Sequence, residues 1–364
     1  MWKAFSIIVV LVLIAIGLTI YRSSTPQKLP GFSMETPNPI VTAQTDSENK
    51  PGSEIVAQNL QVPWALAFLP NGDILVTERK GSIKIIDHTN FQNIKEIANI
   101  KVNQTGESGL HGIAVHPKYP ESPYIYIYYT YSTQNDSSQN RVSQFILDND
   151  NLRDEKIIVD QIPGAIFHDG GRIKFGPDGA LYITTGDALE PSLSQNKNSL
   201  AGKILRVEIG KKAEFFSYGH RNPQGIAWDN QNRLWEVEHG QSATDEINLI
   251  EQNKNFGWPT IRGDQTKEGM ITPKLQSGNE TWAPAGLTFY KNLLYFGGLR
   301  GEALFQFNPD TLELKQYFKN QFGRIREVVL GPDDMLYITT SNLDGRGKAQ
   351  SGDDKLIRIN PNSL

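Results

Sequence analysis

A short unit that recurs six times from Gln58 onward constrains the fold of this chain more than any other feature. Each copy has an apolar residue, a turn containing Pro, Asp, Asn or Gly, and then a run of Leu, Ile, Tyr or Trp with β-branched residues. Glycine supplies the positive φ that such turns need, and proline presets their first corner. Each unit therefore predicts two short β-strands joined by a tight turn. The apolar residues that anchor the six copies are Phe68, Val115, Phe175, Trp228, Phe289 and Leu330.

The spacing of these units predicts the architecture. The anchor residues lie about 41 to 61 positions apart, which suits one four-stranded blade per unit. We therefore predict an all-β protein, a six-bladed β-propeller over residues 55–364. Such a ring closes when its first strand pairs with the last blade, and residues 54–56 and 355–359 are the expected partners.

The amino terminus carries a different signal. Residues 4–20 are uncharged and mostly apolar, and Arg22 follows them. This length is at the lower limit for spanning a bilayer, so residues 1–22 are predicted to be a signal peptide or a membrane anchor. Residues 23–54 are rich in Pro, Ser, Thr, Asn and Gln and predict a flexible linker. Both alternatives place the propeller outside the cytoplasm, as a periplasmic, secreted or outward-facing tethered domain.

Composition excludes several functional classes. The chain has no cysteine, which removes disulfides, thiolate metal sites and a cysteine nucleophile. Its 36 Lys and Arg residues against 40 Asp and Glu residues give a net charge of −4, so nucleic acid is not an expected partner. The glycine patterns of Rossmann folds, P-loops and the serine-hydrolase elbow are also missing. Redox chemistry in this chain would require a bound cofactor.

Five polar residues occupy matching positions before the anchors, namely Glu107, His168, Arg221, Arg324 and Arg326. Because the innermost strands of a propeller begin at the same end of the central channel, these side chains are expected to face one axial pocket. Guanidinium groups gathered in a net acidic chain indicate an anionic ligand with several carboxylates or phosphates. Polar residues at strand starts can also simply close turns or line a wet channel, and both interpretations remain open at this point.

Several longer motifs then give the chain a family resemblance. It resembles the soluble quinoprotein sugar dehydrogenases, the pyrroloquinoline quinone (PQQ)-dependent aldose and glucose dehydrogenases built on a six-bladed propeller. The motifs occur in order over nearly the whole globular part: PWALAF (63–68), LVTER (75–79), ESGLHG (107–112), HDGGR (168–172), TTGD (184–187), GHRNPQG (219–225), DEINLI (245–250), NFGWP (255–259) and GRIR (323–326).

The resemblance implies a role for each matching residue. His168 would be the general base that takes the proton of the sugar's anomeric hydroxyl, and Asp187 would orient its imidazole. Arg221 and Asn222 would donate to the quinone oxygens. The three carboxylates of PQQ would be held by arginines, and Glu107 would lie at the rim shared by cofactor and sugar. Those arginines are Arg300, Arg324 and Arg326.

Two calcium sites are also implied by the resemblance. Main-chain carbonyls of the loop around Gly240 and Gln241 would bind Ca²⁺ beneath the quinone, and Ca²⁺ prefers such hard oxygen ligands. A second, structural Ca²⁺ would be bound by Glu246 and the carbonyl of Phe256. Oxidation of an aldose would release a lactone, and the electrons would pass to a separate acceptor.

The chain departs from the family pattern at several positions. Gln241 replaces a common Pro, and Phe256 replaces Tyr. Phe167 stands where glucose-oxidising members can carry an acid, so a polar contact to the sugar is missing and a preference for glucose is not implied. The long insertions of the glucose-specific enzymes are absent from the sequence, which favours the broad aldose type. His111 replaces an apolar residue. Two other functional classes remain as alternatives: a calcium-dependent propeller hydrolase of the lactonase type and a non-catalytic binding propeller.

Overall fold

The computed structural model describes residues 41–43 and 52–364, and this part of the chain is almost entirely β-structure. Within it the helical elements are two 3-10 turns, η1 (Pro191–Ser194) and η2 (Pro361–Ser363). No helix in the described ranges has the length and apolarity needed to cross a bilayer. The predicted signal or anchor segment lies outside the described residues.

Six sheets follow one another in chain order, and each is built on four antiparallel strands. Two short strands precede the first full sheet: β1 (Val41–Ala43) and β2 (Ser53–Ala57). Blade 1 contains β3 (Pro63–Phe68), β4 (Ile74–Glu78), β5 (Ser82–Ile86) and β6 (Ile94–Asn99). Blade 2 contains β7 (Leu110–Val115), β8 (Tyr124–Ser132), β9 (Ser138–Asp148) and β10 (Asn151–Pro163). Blade 3 contains β11 (Ile173–Phe175), β12 (Leu181–Thr185), β13 (Lys203–Val207) and β14 (Glu214–Tyr218).

The second half of the ring repeats the arrangement. Blade 4 contains β15 (Pro223–Trp228), β16 (Leu234–Glu238), β17 (Glu246–Ile250) and β18 (Leu275–Gln276). Blade 5 contains β19 (Pro284–Tyr290), β20 (Leu293–Gly298), β21 (Ala303–Phe307) and β22 (Leu314–Tyr317). Blade 6 contains β23 (Ile325–Leu330), β24 (Leu336–Thr340) and β25 (Leu356–Ile359), with β2 as its outer strand. The predicted six-bladed β-propeller is confirmed.

The turn residues identified in the sequence join the two inner strands of the blades. In blade 1 the turn is closed by the hydrogen bond from Leu69 N to Asp73 O, at 2.8 Å, and Gly72 within it has a φ of +96°. In blade 3 Gly176 N donates to Ala180 O at the same distance, and Gly179 has a φ of +75°. These positive φ angles explain why glycine recurs at this position of the unit.

The ring closes as expected. Strand β2 pairs antiparallel with β25, with Glu54 opposite Arg358 and Ile55 opposite Ile357. Strand β1 adds to the outer edge of blade 5, where Val41 pairs in parallel with Leu314. The division of the chain at residues 22 and 54 stays a prediction.

Apolar side chains fill the space between blades, and charged side chains fill the axis. Trp64 of β3 packs with the apolar cluster between blades 1 and 2 and is 2% exposed. On the axis the Arg172 guanidinium lies 4.4 Å from the centre of the Trp64 ring and forms an ion pair with Glu327. Lys174 donates from β11 to Leu287 O on β19 at 2.7 Å. A buried charge requires partners of this kind, and these contacts connect blade 3 with blades 5 and 6 across the centre.

Candidate active site

His168 and Asp187 form a hydrogen-bonded pair at the end of the propeller where the innermost strands begin. His168 Nδ1 lies 2.8 Å from Asp187 Oδ1, and Asp187 is completely buried. Because a carboxylate only accepts, Nδ1 carries the proton, and Nε2 of the neutral imidazole keeps its lone pair. The His168 side chain is 16% exposed. The pair therefore has the arrangement of a general base oriented by an acid.

The loop that carries His168 is held from two sides. His168 has a φ of +64°, and its carbonyl accepts from Ala188 N at 3.2 Å. The neighbouring Asp169 carboxylate accepts from Asn140 Nδ2 at 2.9 Å and from Ser108 Oγ at 2.8 Å. Burial raises the pKa of Asp169 to about 6 even though these hydrogen bonds lower it. The base is thus carried by a rigid segment.

Arg221 and Asn222 precede β15 and share one anchor. Both main-chain N–H groups donate to Glu238 Oε2, at 2.6 and 3.2 Å. Arg221 Nη1 donates to His239 O at 3.1 Å, and Asn222 Oδ1 accepts from Gly170 N at 3.1 Å. These contacts place both residues beside the His168 loop. Burial lowers the pKa of Arg221, and nearby Asp187 and Glu238 oppose that change.

Arg324 and Arg326 come from blade 6. Arg324 donates to Asp344 Oδ2 from Nε at 3.1 Å and from Nη2 at 2.7 Å. Arg326 donates from Nη1 to Gln224 Oε1 at 2.7 Å and lies 5.7 Å from the centre of the Trp64 ring. Burial lowers the pKa of Arg326 to about 9. Gln224 belongs to β15, the strand that Arg221 and Asn222 precede, so blades 4 and 6 meet here.

Glu107 lies at the mouth of this site, where it pairs with Arg346. The Arg346 guanidinium lies 5.0 Å from the centre of the ring of Phe167, the residue that precedes His168 in the sequence. Burial alone would raise the pKa of Glu107, but interactions with His239, Arg346 and Arg326, including the Arg346 hydrogen bond, outweigh it and lower that pKa. His239 itself is buried, which lowers its pKa to about 4. The rim therefore combines an ionised carboxylate, a guanidinium and an aromatic face.

Unpartnered polar atoms are the feature that best defines the site. Five buried side-chain atoms of these loops have no hydrogen-bond partner among the described residues: Arg79 Nε, Glu107 Oε2, Arg221 Nε, Asn222 Nδ2 and Arg326 Nε. Four of the five are donors. A buried donor without an acceptor costs about 1–3 kcal/mol, so their concentration at one end of the channel fits a ligand rich in acceptor oxygens and negative charge.

Arg300 does not join this group in the structure. It follows β20 and Leu299, its side chain is exposed, and its main-chain N donates to Trp282 O at 3.1 Å. No side-chain hydrogen bond or ion pair of Arg300 occurs among the described residues. The resemblance implied a cofactor role for Arg300 in GLRG (298–301) and assigned no role to Arg79, whereas the structure places Arg79 among the buried guanidiniums.

The four residues predicted for calcium line one narrow cavity: Gly240, Gln241, Glu246 and Phe256. Gly240 sits in a tight loop, where an added Cβ would come within 1.9 Å of Ala243 O and 2.5 Å of Thr244 O. Gly240 N donates to Asp245 Oδ1 at 2.8 Å. Carbonyl oxygens crowded into such a loop are ligands of the kind that Ca²⁺ takes.

Glu246 belongs to a buried cluster of carboxylates between blades 3 and 4. Burial and the charge of Glu238 raise its pKa to about 8. Asn248 Nδ2 donates to Glu246 Oε2 at 3.3 Å and to Glu236 Oε2 at 3.0 Å. Glu236 Oε1 and Asn248 Oδ1 are buried and have no partner in the described part of the chain. Hard oxygen donors with excess negative charge fit a calcium ion.

Two functional contacts escaped the sequence analysis. Trp258 Nε1 donates to Asp187 Oδ2 at 2.8 Å, and Arg346 pairs with Glu107. The partners are 71 and 239 positions apart along the chain. The sequence analysis identified the NFGWP motif, which contains Trp258. No spacing rule connects Trp258 to Asp187, so the contact between them could not be predicted.

The fold and the site together define a six-bladed propeller in which a hydrogen-bonded histidine–aspartate pair lies beside buried guanidinium groups. Residues 60–357 match the glucose/sorbosone dehydrogenase family, so the chain belongs to that family of oxidoreductases. The match favours a dehydrogenase over the hydrolase and the binding propeller.

Three relatives illustrate the similarity. The structure of the PQQ-bound aldose sugar dehydrogenase of Streptomyces coelicolor is 34% identical, with a TM-score of 0.79 over 85% of this chain and 98% of that chain. The aldose sugar dehydrogenase YliI of Escherichia coli is 28% identical over 85% of this chain and 92% of its own length. Quinoprotein glucose dehydrogenase B of Acinetobacter calcoaceticus is 28% identical over 64% of this chain and 57% of its own length.

Proposed function

We propose that this protein oxidises aldose sugars at the anomeric carbon to the lactone, with PQQ as cofactor and Ca²⁺ as a required ion. The buried unpartnered donors of Arg221, Asn222 and Arg326 beside His168 carry the proposal. They are suited to quinone and carboxylate oxygens, and the Streptomyces relative was solved with PQQ bound. Arg324 and the exposed Arg300 complete the set proposed to bind the cofactor's carboxylates.

His168 performs the proton transfer in this proposal. The anomeric O–H proton moves to His168 Nε2, while the C1 hydrogen leaves with its electron pair and the C1–O bond becomes a carbonyl. PQQ supplies the two-electron acceptor for that hydride. Asp187 keeps the proton on Nδ1 and stabilises the imidazolium that forms. Base catalysis of this kind contributes about 10²–10⁴-fold to the rate.

Calcium would be bound at two places. The carbonyls of Gly240 and Gln241 would hold the ion that polarises the quinone, because Ca²⁺ acts as a Lewis acid there. Glu246 and the Phe256 carbonyl would hold a structural ion between blades 3 and 4. The Ala243 and Thr244 carbonyls packed against Gly240 make this loop rich in hard oxygen, and buried carboxylates surround Glu246; both observations support calcium in this cavity.

The rim residues favour a broad aldose range rather than glucose alone. Phe167 offers a sugar an aromatic face and no hydrogen bond, and Glu107 offers a buried acceptor oxygen. We expect pentoses, hexoses and disaccharides to be accepted. A separate acceptor must then reoxidise the cofactor.

We place the reaction outside the cytoplasm. The uncharged, apolar residues 4–20 support delivery by a signal peptide or a membrane anchor. The absence of cysteine is compatible with an oxidising compartment. A tether through residues 4–20 would keep the propeller at the membrane surface.

Reconstitution tests the proposal directly. The purified protein is loaded with PQQ and Ca²⁺, and sugar-dependent reduction of an artificial dye is followed with a panel of aldoses. We expect turnover with several sugars and loss of turnover on chelation. A protein that binds PQQ but reduces no dye with any pentose, hexose or disaccharide would overturn the enzymatic assignment, and turnover indifferent to chelators would remove calcium from it.

A further inference from the structure

Trp258 forms a hydrogen bond to the His168–Asp187 pair that its position in the fold does not require. It lies in the segment between β17 and β18 and is 8% exposed. Its indole Nε1 donates to Asp187 Oδ2 at 2.8 Å. Asp187 Oδ1 receives His168 Nδ1 at 2.8 Å and Leu189 N at 2.9 Å. Trp258 is therefore the one side chain in the described residues that holds the second oxygen of this carboxylate.

The backbone around Trp258 fixes the indole rigidly. Trp258 N donates to Gly219 O at 2.9 Å, and Trp258 O accepts from Gln195 Nε2 at 2.6 Å. The guanidiniums of Arg221 and Arg262 lie over the ring, 5.3 and 5.0 Å from its centre. One aromatic side chain thus touches both the carboxylate behind the base and the arginine proposed to bind the quinone.

A buried carboxylate with one constrained oxygen can rotate about χ2, whereas a carboxylate held at both oxygens cannot. Rotation of Asp187 would break its hydrogen bond to His168 Nδ1 and release the imidazole to its other tautomer. In that tautomer Nε2 carries the proton and no longer accepts one. A fixed Asp187 is therefore a condition for a working base.

We propose that Trp258 is a positioning residue, which locks Asp187 so that His168 keeps its proton on Nδ1 and its lone pair on Nε2. The indole also aligns Arg221 with this pair through its ring face. This inference rests on the proposed function for its catalytic consequence, although the effect on the His168 tautomer is independent of cofactor and sugar.

The test compares two Trp→Phe substitutions that remove the same kind of bond. Trp235 is also buried, and its Nε1 donates to Asp229 Oδ2 at 2.9 Å in a turn of blade 4 remote from the base. W258F and W235F each lose one indole–carboxylate hydrogen bond, but W258F alone loses it at Asp187. The protein labelled with ¹⁵N-histidine reports the His168 tautomer by NMR, with H168Q used to assign the signals.

We expect the His168 signals of the wild type and W235F to show the Nδ1–H form, and those of W258F to show a mixture of tautomers. In the loaded enzyme W258F should lower kcat by about 10- to 100-fold with KM changed less than threefold. Unchanged His168 signals with unchanged kcat in W258F would overturn the proposal. Equal losses in both variants would also overturn it, since they would show a general effect on folding.

Two further outcomes separate the inference from the function on which it depends. A wild-type protein that oxidises no sugar, combined with a tautomer change confined to W258F, would refute the proposed function and leave the positioning role standing. If W258F does not fold, benzothienylalanine at position 258 keeps the shape and aromatic face and removes only the N–H. The same tautomer change is then expected, and its absence would refute the role.

Discussion

Arg79 and Asp344 connect blade 1 to the loop between β24 and β25 of blade 6, since Arg79 Nη2 donates to Asp344 O across 3.4 Å. Arg79 is 8% exposed, and its Nε has no partner in the described part of the chain. The Asp344 carboxylate is already occupied by Arg324, and Glu107 is paired with Arg346. Burial lowers the pKa of Arg79, while Asp344 and Glu107 oppose that change. A buried guanidinium whose neighbouring carboxylates are paired with other arginines indicates an anionic ligand from outside the chain.

R79Q should therefore weaken binding of PQQ to the apoprotein by about 10- to 100-fold, because one charge-assisted hydrogen bond is worth about 1.5–3 kcal/mol. Quenching of tryptophan fluorescence at fixed Ca²⁺ measures the dissociation constant. R153Q is the control, since that side chain is 52% exposed on the outer edge of blade 2. Equal affinities in R79Q and R153Q would contradict the expectation.

H168Q should leave PQQ binding nearly intact and lower kcat by about 10²–10⁴-fold, because it removes the proton acceptor and no guanidinium. Dye-coupled turnover and fluorescence quenching separate the two effects. His88 offers a matched control, since its Nδ1 also lies close to a carboxylate, at 2.9 Å from Asp73, outside the site. H88Q should retain full turnover, and equal turnover in H168Q would remove His168 from the role of base.

His111 should make the protein sensitive to acid. It stacks on Trp64 with ring centres 4.8 Å apart, and burial lowers its pKa to about 3. The unfolded chain has an ordinary His pKa of about 6.5. The neutral ring therefore contributes stability that is present above pH 6.5 and is lost as the pH falls towards 3.

H111F should remove this dependence. The free energy of unfolding of the wild type minus that of H111F should fall by about 2–3 kcal/mol between pH 7.5 and 4.5, since each pKa unit corresponds to about 1.4 kcal/mol. Urea unfolding at several pH values measures it. A difference that stays constant over this range would show that His111 does not remain neutral in the folded protein.

E246Q should abolish binding of one of the two proposed calcium ions. A ligand present at 100 times its dissociation constant stabilises a fold by about 2.7 kcal/mol, so Ca²⁺ should raise the melting temperature of the wild type more than that of E246Q. Elemental analysis should show one ion fewer per chain. E214Q, at an exposed position on β14, is the control. Identical calcium content in all three proteins would remove Glu246 as a ligand.

Local sequence patterns were sufficient to predict the blades and their closure. The turn glycines at positions 72 and 179 have the positive φ that their motif implies, and Ile55 pairs with Ile357 at the expected seam. These features depend on neighbours within one hairpin or on the number of blades, so a pattern of apolar and turn residues carries them. Counting back from the strand anchors also identified Arg221 and Arg326, because equivalent strand starts meet at one end of a propeller.

The partners of those side chains depend on contacts between blades, which no periodicity encodes. Trp258 reaches Asp187 from another blade, Arg346 reaches Glu107 from the opposite end of the chain, and Arg79 of blade 1 lies buried beside Asp344 of blade 6. Each contact exists because ring closure fixes the angle between sheets and brings loops distant in sequence within hydrogen-bond range. Each blade forms from strands that are neighbours in the sequence, so local patterns determine it. The site forms only when ring closure brings loops of different blades together.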